Sequence, residues 1–133
     1  MSENLDLVRS ICSAWERGDF AASDWADPEI ESVWADGPAP GSRIGVAAMA
    51  ESERDFLNAW ADVRLTIGEY RELDGHRVLV FIHASGRGKT SGLDLGQMSR
   101  TAACLFDIRD GKVIRLVNYW DRDRALADLG LQE

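Results

Sequence analysis

Leu5, Val8, Ile11, Cys12 and Trp15 fall three or four residues apart, so the chain opens on a helix with one apolar face. Gly18 stands where glycine commonly ends a helix. Asp19 is placed to cap a second short helix carrying Phe20, Ala21, Ala22 and Trp25, which Asp27-Pro28 breaks. Ile30–Ala35 then reads as a strand, and residues 36–42, Asp-Gly-Pro-Ala-Pro-Gly-Ser, as a loop of turn formers. A third helix starts at Ser42 or a neighbour. Its apolar side takes Val46, Met49, Ala50, Phe56, Leu57 and Trp60; its wet side takes Glu51, Glu53, Arg54 and Asp55.

From here the period changes from helical to alternating. Val63–Leu73 and His76–Arg87 flank Asp74-Gly75, and Met98–Arg109 and Lys112–Trp120 flank Asp110-Gly111. Asp-Gly between alternating runs signals a hairpin, because a type I′ turn needs positive φ at both central residues. The glycine-rich stretch 86–92 connects the two hairpins, Asp121 caps a last helix with Ala125, Leu126 and Leu129 inward, and Gly130 ends it. Helices followed by runs of strands predict a single α+β domain over residues 1–133: a cone-shaped, curved antiparallel sheet with the N-terminal helices packed across its concave face, enclosing a pocket.

Composition narrows the function. A formal net charge of −8 argues against nucleic acid and against an anionic membrane surface, both of which call for a basic face. No run approaches the ~20 apolar residues of a membrane span, and Met1-Ser2-Glu3-Asn4 carries neither the basic nor the apolar region of a signal peptide. Cys12 and Cys104 lie in apolar contexts without motif spacing, as reduced, buried thiols of a cytoplasmic protein do. The five Trp are many for 133 residues, and their large apolar bodies suit a core, an interface or a pocket wall.

The order and spacing of several short pieces carry a resemblance. They are Ala14-Trp15-Glu16-Arg17-Gly18-Asp19-Phe20, Trp34-Ala35-Asp36-Gly37-Pro38, Arg109-Asp110-Gly111-Lys112-Val113-Ile114, and Tyr119-Trp120-Asp121 followed by Ala125-Leu126. Together they make the chain resemble the nuclear transport factor two-like superfamily and, within it, the SnoaL-like branch of polyketide cyclase and ketosteroid isomerase relatives. The resemblance implies a cone fold with a pocket, and it leaves function open, because this fold hosts enzymes, ligand sensors and adaptors. Carried over from the steroid isomerases, Asp36 matches the general base, but Ile11 and Cys104 stand where their two oxyanion donors would be. From the epoxide hydrolases, Arg100 matches the arginine while Ala102 replaces its neighbouring Asp. From the cyclases, Asp36, His83 and Asp121 are acid–base candidates.

Strand alternation gives a pocket face independently. Ile114, Leu116, Asn118 and Trp120 share one side of the last strand, with Val113, Arg115, Val117 and Tyr119 on the other. Met98, Arg100, Ala102, Cys104 and Phe106 form the more apolar side of the preceding strand. Arg100 and Asn118 are then polar groups in apolar company, which need partners that a ligand can supply. Asp36 reads either as a base at the pocket rim or as a turn former bonding its own loop. Arg100 reads as an oxyanion clamp or as an ion-pair partner of Asp36, His83 as an acid–base group or a satisfied strand histidine, and Asp121 as a helix cap. Ser85–Thr90 mimics part of a phosphate loop, but His83 occupies the place of its first glycine. No metal-ligand spacing occurs, and no cofactor is expected.

Two functions follow. One is a cofactor-free isomerase, cyclase or hydrolase acting on a small hydrophobic carbonyl compound, with Asp36, Arg100 and His83 as catalytic candidates. Trp15, Trp34, Phe56, Trp60, Cys104, Asn118 and Trp120 would line its site. The other is a pocket that binds a small hydrophobic ligand, or a partner, without chemistry. A homodimer is expected from the apolar outward residues Val113, Val117 and Tyr119.

Overall fold

The structure, a computed structural model, describes residues 3–19, 24–36, 40–88 and 97–131, with the backbone alone for 56, 57, 59–62, 87, 88 and 97–100. In chain order these form α1 (Glu3–Glu16), β1 (Ala26–Trp34), β2 (Gly41–Ile44), α2 (Val46–Ala59), β3 (Trp60–Glu72), β4 (Arg77–Gly88), β5 (Gln97–Arg109), β6 (Lys112–Tyr119) and α3 (Arg122–Leu129). The second helix expected at Asp19–Trp25 falls largely on residues outside those described; Asp24 and Trp25 form a turn.

Local chemistry explains the element ends. Gly18, at φ 81°, closes α1 with Gly18 N–H donating to Trp15 O and Asp19 N–H to Ala14 O, the paired bonds of a glycine C-cap. Gly130 (φ 67°) repeats the device on α3, with Leu131 N–H donating to Leu126 O. Asp110 and Gly111 both take positive φ, 53° and 76°, as their hairpin requires. At the other hairpin Asp74 Oδ1 accepts the His76 and Arg77 amides, so the side chain holds the turn. Asp121 caps α3 by accepting the Asp123 N–H at 2.9 Å. Asp121→Ala is expected to cost about 1 kcal/mol in urea denaturation; an unchanged midpoint would remove this cap from the account of α3.

The strands form a six-stranded sheet in the order β2-β1-β6-β5-β4-β3. Two sequence expectations change here. The sheet is mixed, because β1 runs parallel to β6. Residues 41–44, expected to lead into a helix, form the edge strand β2, and α2 starts at Val46 and ends before Trp60, which opens β3.

Each face of the sheet has its own core. The inner face lies under α1 and α2, where Val8, Ile11, Cys12, Trp15 and Met49 meet Ile30, Val78, Val80, Ile82, Cys104, Phe106 and Leu116. The outer face lies under α3, where Ala125 and Leu126 meet Leu79, Phe81, Ala103, Leu105, Val117 and Tyr119. Helices therefore cover both faces rather than one. A register shift between Asp107 and Ile108 adds a residue to β6, so Val113 joins Leu116 in the inner core, not Val117 and Tyr119 on the other side. The apolar surface expected to drive dimerisation is thus buried within the protomer: Val113 inside, Val117 and Tyr119 beneath α3. Ile44 is the only large hydrophobic residue exposed among those described. Among the described residues no helix is long and apolar enough to cross a membrane.

Candidate functional site

The sheet register builds the site. A row of Cα partners crosses all six strands: Tyr70, Val80, Cys104, Asn118, Trp34 and Gly41. Cys104 belongs to the inner core, so this row carries a polar band on an otherwise apolar face. The Cys104 thiol donates to Asn118 Oδ1 at 3.4 Å, and Asn118 Nδ2 donates to Val33 O at 3.3 Å. An amide nitrogen carries a second N–H, which leaves Asn118 one more donor. Burial pushes the Cys104 thiol above its ordinary range, with Cys12 and Glu53 adding to the rise, so it serves as a neutral donor. Trp34 Nε1 donates to Ser52 Oγ at 3.0 Å, which ties the band to α2.

The next step along the sheet holds Asp36. Its Oδ1 accepts the Trp120 backbone N–H at 2.6 Å, and Ala35 N–H donates to Asn118 O. Asp36 therefore spans two distant segments, a third possibility beside the free base and the turn former weighed from the sequence. Residue 100 pairs with Ala84 and stands two residues beyond Ala102, at this same end of the sheet. The structure thus brings Asp36, Trp120, Trp34, Asn118 and Cys104 together and puts the backbone of Arg100 nearby; the side chains of Arg100, Phe56 and Trp60 lie outside the described residues. Trp15 is a core residue, tilted 31° against Phe106 at 5.8 Å and edge-on to Trp25 at 6.3 Å. His83 is exposed and two residues from Phe81 along β4, a residue of the outer core, so it lies across the sheet from Cys104 and Asn118.

Glu53, expected on the wet side of its helix, falls on the inner side. Glu53 follows Met49 by four residues and Val46 by seven, on the stripe that meets the inner core. It is half-buried, and loss of water raises its carboxyl to about 7. The helical spacing that selects Val46 and Met49 selects Glu53 equally. Only its charge argues for the wet side. Cys12, in the same core, is pushed up to about 12 by burial, offset in part by its hydrogen bond with Tyr70. Among the described residues no group of three or more His, Cys, Asp or Glu is arranged to hold a metal ion.

An α+β fold whose mixed sheet is covered by helices on both faces, with a polar band set in an apolar inner face, defines the cone class expected from the sequence. The chain belongs to the SnoaL-like domain family, whose sequence model matches residues 8–116. No curated protein matches it in sequence. Among solved structures it is similar to an NTF2-like protein of unknown function from Burkholderia pseudomallei, with 18% identity, TM-score 0.78, and 96% of this chain and 97% of that one covered. It is similar also to TerC, co-crystallised with polyporic acid, at 22% identity and TM-score 0.75 over 96% and 98% of the two chains. A third is a protein of ketosteroid isomerase-like fold from Catenulispora acidiphila in complex with trimethylamine, at 15% identity and TM-score 0.70 over 96% and 94%.

Proposed function

We propose that this chain is a cofactor-free enzyme of the isomerase, cyclase or hydrolase type. It takes a small hydrophobic carbonyl compound between α1, α2 and the inner face of the sheet. The observation that carries this is the polar band of Asn118, Cys104 and the Trp34–Ser52 pair, set across a face that is otherwise apolar. A ligand there meets apolar surface for its rings and a few placed donors for its oxygen, the usual composition of a small-molecule site. The remaining Asn118 N–H supplies charge stabilisation for an enolate or alkoxide oxygen, and Arg100 is the second group the sequence offers for that role. Trp34 and Trp120 bound the ring system. Asp36 holds the rim by gripping the Trp120 amide. That TerC was crystallised with polyporic acid supports an organic ligand in this fold.

A second reading is ligand or partner binding without chemistry. It is favoured by Ile11 and Cys104 standing where steroid isomerases carry their oxyanion donors, and by the commitment of Asp36 to Trp120.

The test is a titration with 2-tetralone, a small bicyclic ketone, followed by tryptophan fluorescence. Saturable quenching is expected, and Asn118→Ala should weaken it by roughly tenfold, the worth of one hydrogen bond to a buried group. A response that rises linearly with ketone, as free tryptophan gives, removes the carbonyl ligand from the account.

A further inference from the structure

The Asn118 side chain is half-buried and is gripped from both neighbouring strands. On the β1 side its Nδ2 donates to Val33 O at 3.3 Å. On the β5 side its Oδ1 accepts the thiol of Cys104, its direct cross-strand partner, at 3.4 Å. These contacts fix which end of the amide is which. A backbone carbonyl can only accept, so a turned amide would set two oxygens against each other at Val33. The thiol must then donate. Burial pushes Cys104 above its ordinary range, with Cys12 and Glu53 adding to the rise, so the proton that makes this bond stays on sulfur. The Asn118 backbone is pinned as well, its carbonyl accepting the Ala35 N–H at 2.9 Å. One polar hydrogen is left over. Among the described residues nothing else bonds the Asn118 side chain, and its second N–H has no acceptor.

We infer that Cys104 is a positioning residue: its thiol holds the Asn118 amide with the second N–H free for a ligand, and the pair selects a molecule that presents a bare acceptor oxygen at that point. This rests on the ligand class proposed above. An amide tied at both ends cannot turn about its last side-chain bond. The N–H is therefore aimed before the ligand arrives, and little rotamer freedom is lost on binding. Donation into Oδ1 also draws electron density away from the amide nitrogen, and hydrogen bonds in a chain strengthen one another in this way, so the spare N–H becomes the better donor. The thiol has only one proton, and it is already spent on Asn118, so Cys104 offers the ligand no donor of its own. A hydroxyl at position 104 can perform the same task. A methyl group there leaves Oδ1 without its donor and the amide loose at one end. A hydrocarbon of the same shape as the ligand gains nothing from the arrangement, because it has no oxygen to place against the N–H.

The test compares 2-tetralone with tetralin, its oxygen-free carbon skeleton, by isothermal titration calorimetry on wild type, Cys104→Ala and Cys104→Ser. Circular dichroism melts confirm that the variants are folded. Cys104→Ala is expected to weaken ketone binding by roughly fivefold and to leave tetralin unchanged. Cys104→Ser should restore the ketone to within about twofold of the wild type. Infrared spectra of the S–H stretch read the thiol contact without any ligand. The chain has two cysteines, so the Cys12→Ser protein shows the Cys104 band alone. Adding Asn118→Ala should move that band toward the position of a free thiol. Unchanged ketone affinity in Cys104→Ala overturns the inference, and so do equal losses for ketone and tetralin, which report packing alone. A Cys104 band that ignores Asn118→Ala overturns it as well. Failure of the wild type to bind the ketone, with the band shift present, overturns the ligand class and the selection built on it; the infrared result keeps that failure apart from a failure of the thiol contact.

Discussion

Phe106→Ala is expected to lower stability by about 3–5 kcal/mol, the largest effect of any single change considered for this chain. Phe106 is fully buried at the centre of the inner core, between Val78 on β4 and Leu116 on β6 in register. Its ring also supports Trp15 at 5.8 Å, so truncation removes the floor on which α1 rests. The two walls of the cavity left behind are strands in the middle of the sheet, each hydrogen-bonded on both sides, and they cannot collapse inward. Guanidinium denaturation at pH 7 measures this; a loss under about 1.5 kcal/mol would mean that the core can repack around the gap.

The second large effect concerns pH. Glu53 has its carboxyl raised from 4.5 to about 7 in the folded protein by burial. The protonated form is therefore favoured by folding. Its contribution to stability is fully present below pH of about 4.5, is lost as pH rises through about 7, and stays lost above. Each pH decade in that interval is worth about 1.4 kcal/mol at most. Partial solvent access to the carboxyl brings the total down to about 2 kcal/mol. Glu53→Gln removes this titration, so the variant should gain on the wild type by about that amount between pH 5 and pH 8, read from denaturation midpoints at the two pH values. Parallel pH profiles for the two proteins would show that Glu53 is hydrated in the folded state.

How much of this was legible in the sequence depended on how local the cause was. Asp110-Gly111, Gly18, Gly130 and Asp121 each act within a few residues through backbone angles or a single hydrogen bond, and each ended or turned its element where expected. Strand alternation put Asn118 and Cys104 on one face of the sheet, because side-chain direction in β-structure follows from position alone. The rest had longer-range causes. β2 has four exposed residues and no apolar pattern; it is a strand only because β1 offers it an edge. The parallel pairing of β1 with β6 joins residues 84 positions apart, such as Trp34 and Asn118. The extra residue in β6 that turns Val113 inward leaves no mark in composition. Glu53 was visible in the spacing but overruled by its charge, and an isolated acid on a core stripe is the kind of local conflict that functional residues produce.

The placement of β6 has a consequence for how the molecule comes into being. As the chain leaves the ribosome, β1 emerges early, and its neighbour across the parallel ladder emerges 84 residues later. Until then β1 has only the four-residue β2 beside it, and a lone two-stranded ribbon is marginal in water. β3, β4 and β5 pair in sequence order and can associate as they are made. The N-terminal strands must wait for the last one. Closure of that long loop is a slow, late event, and the half-made chain meanwhile exposes an apolar inner face that the finished protein hides.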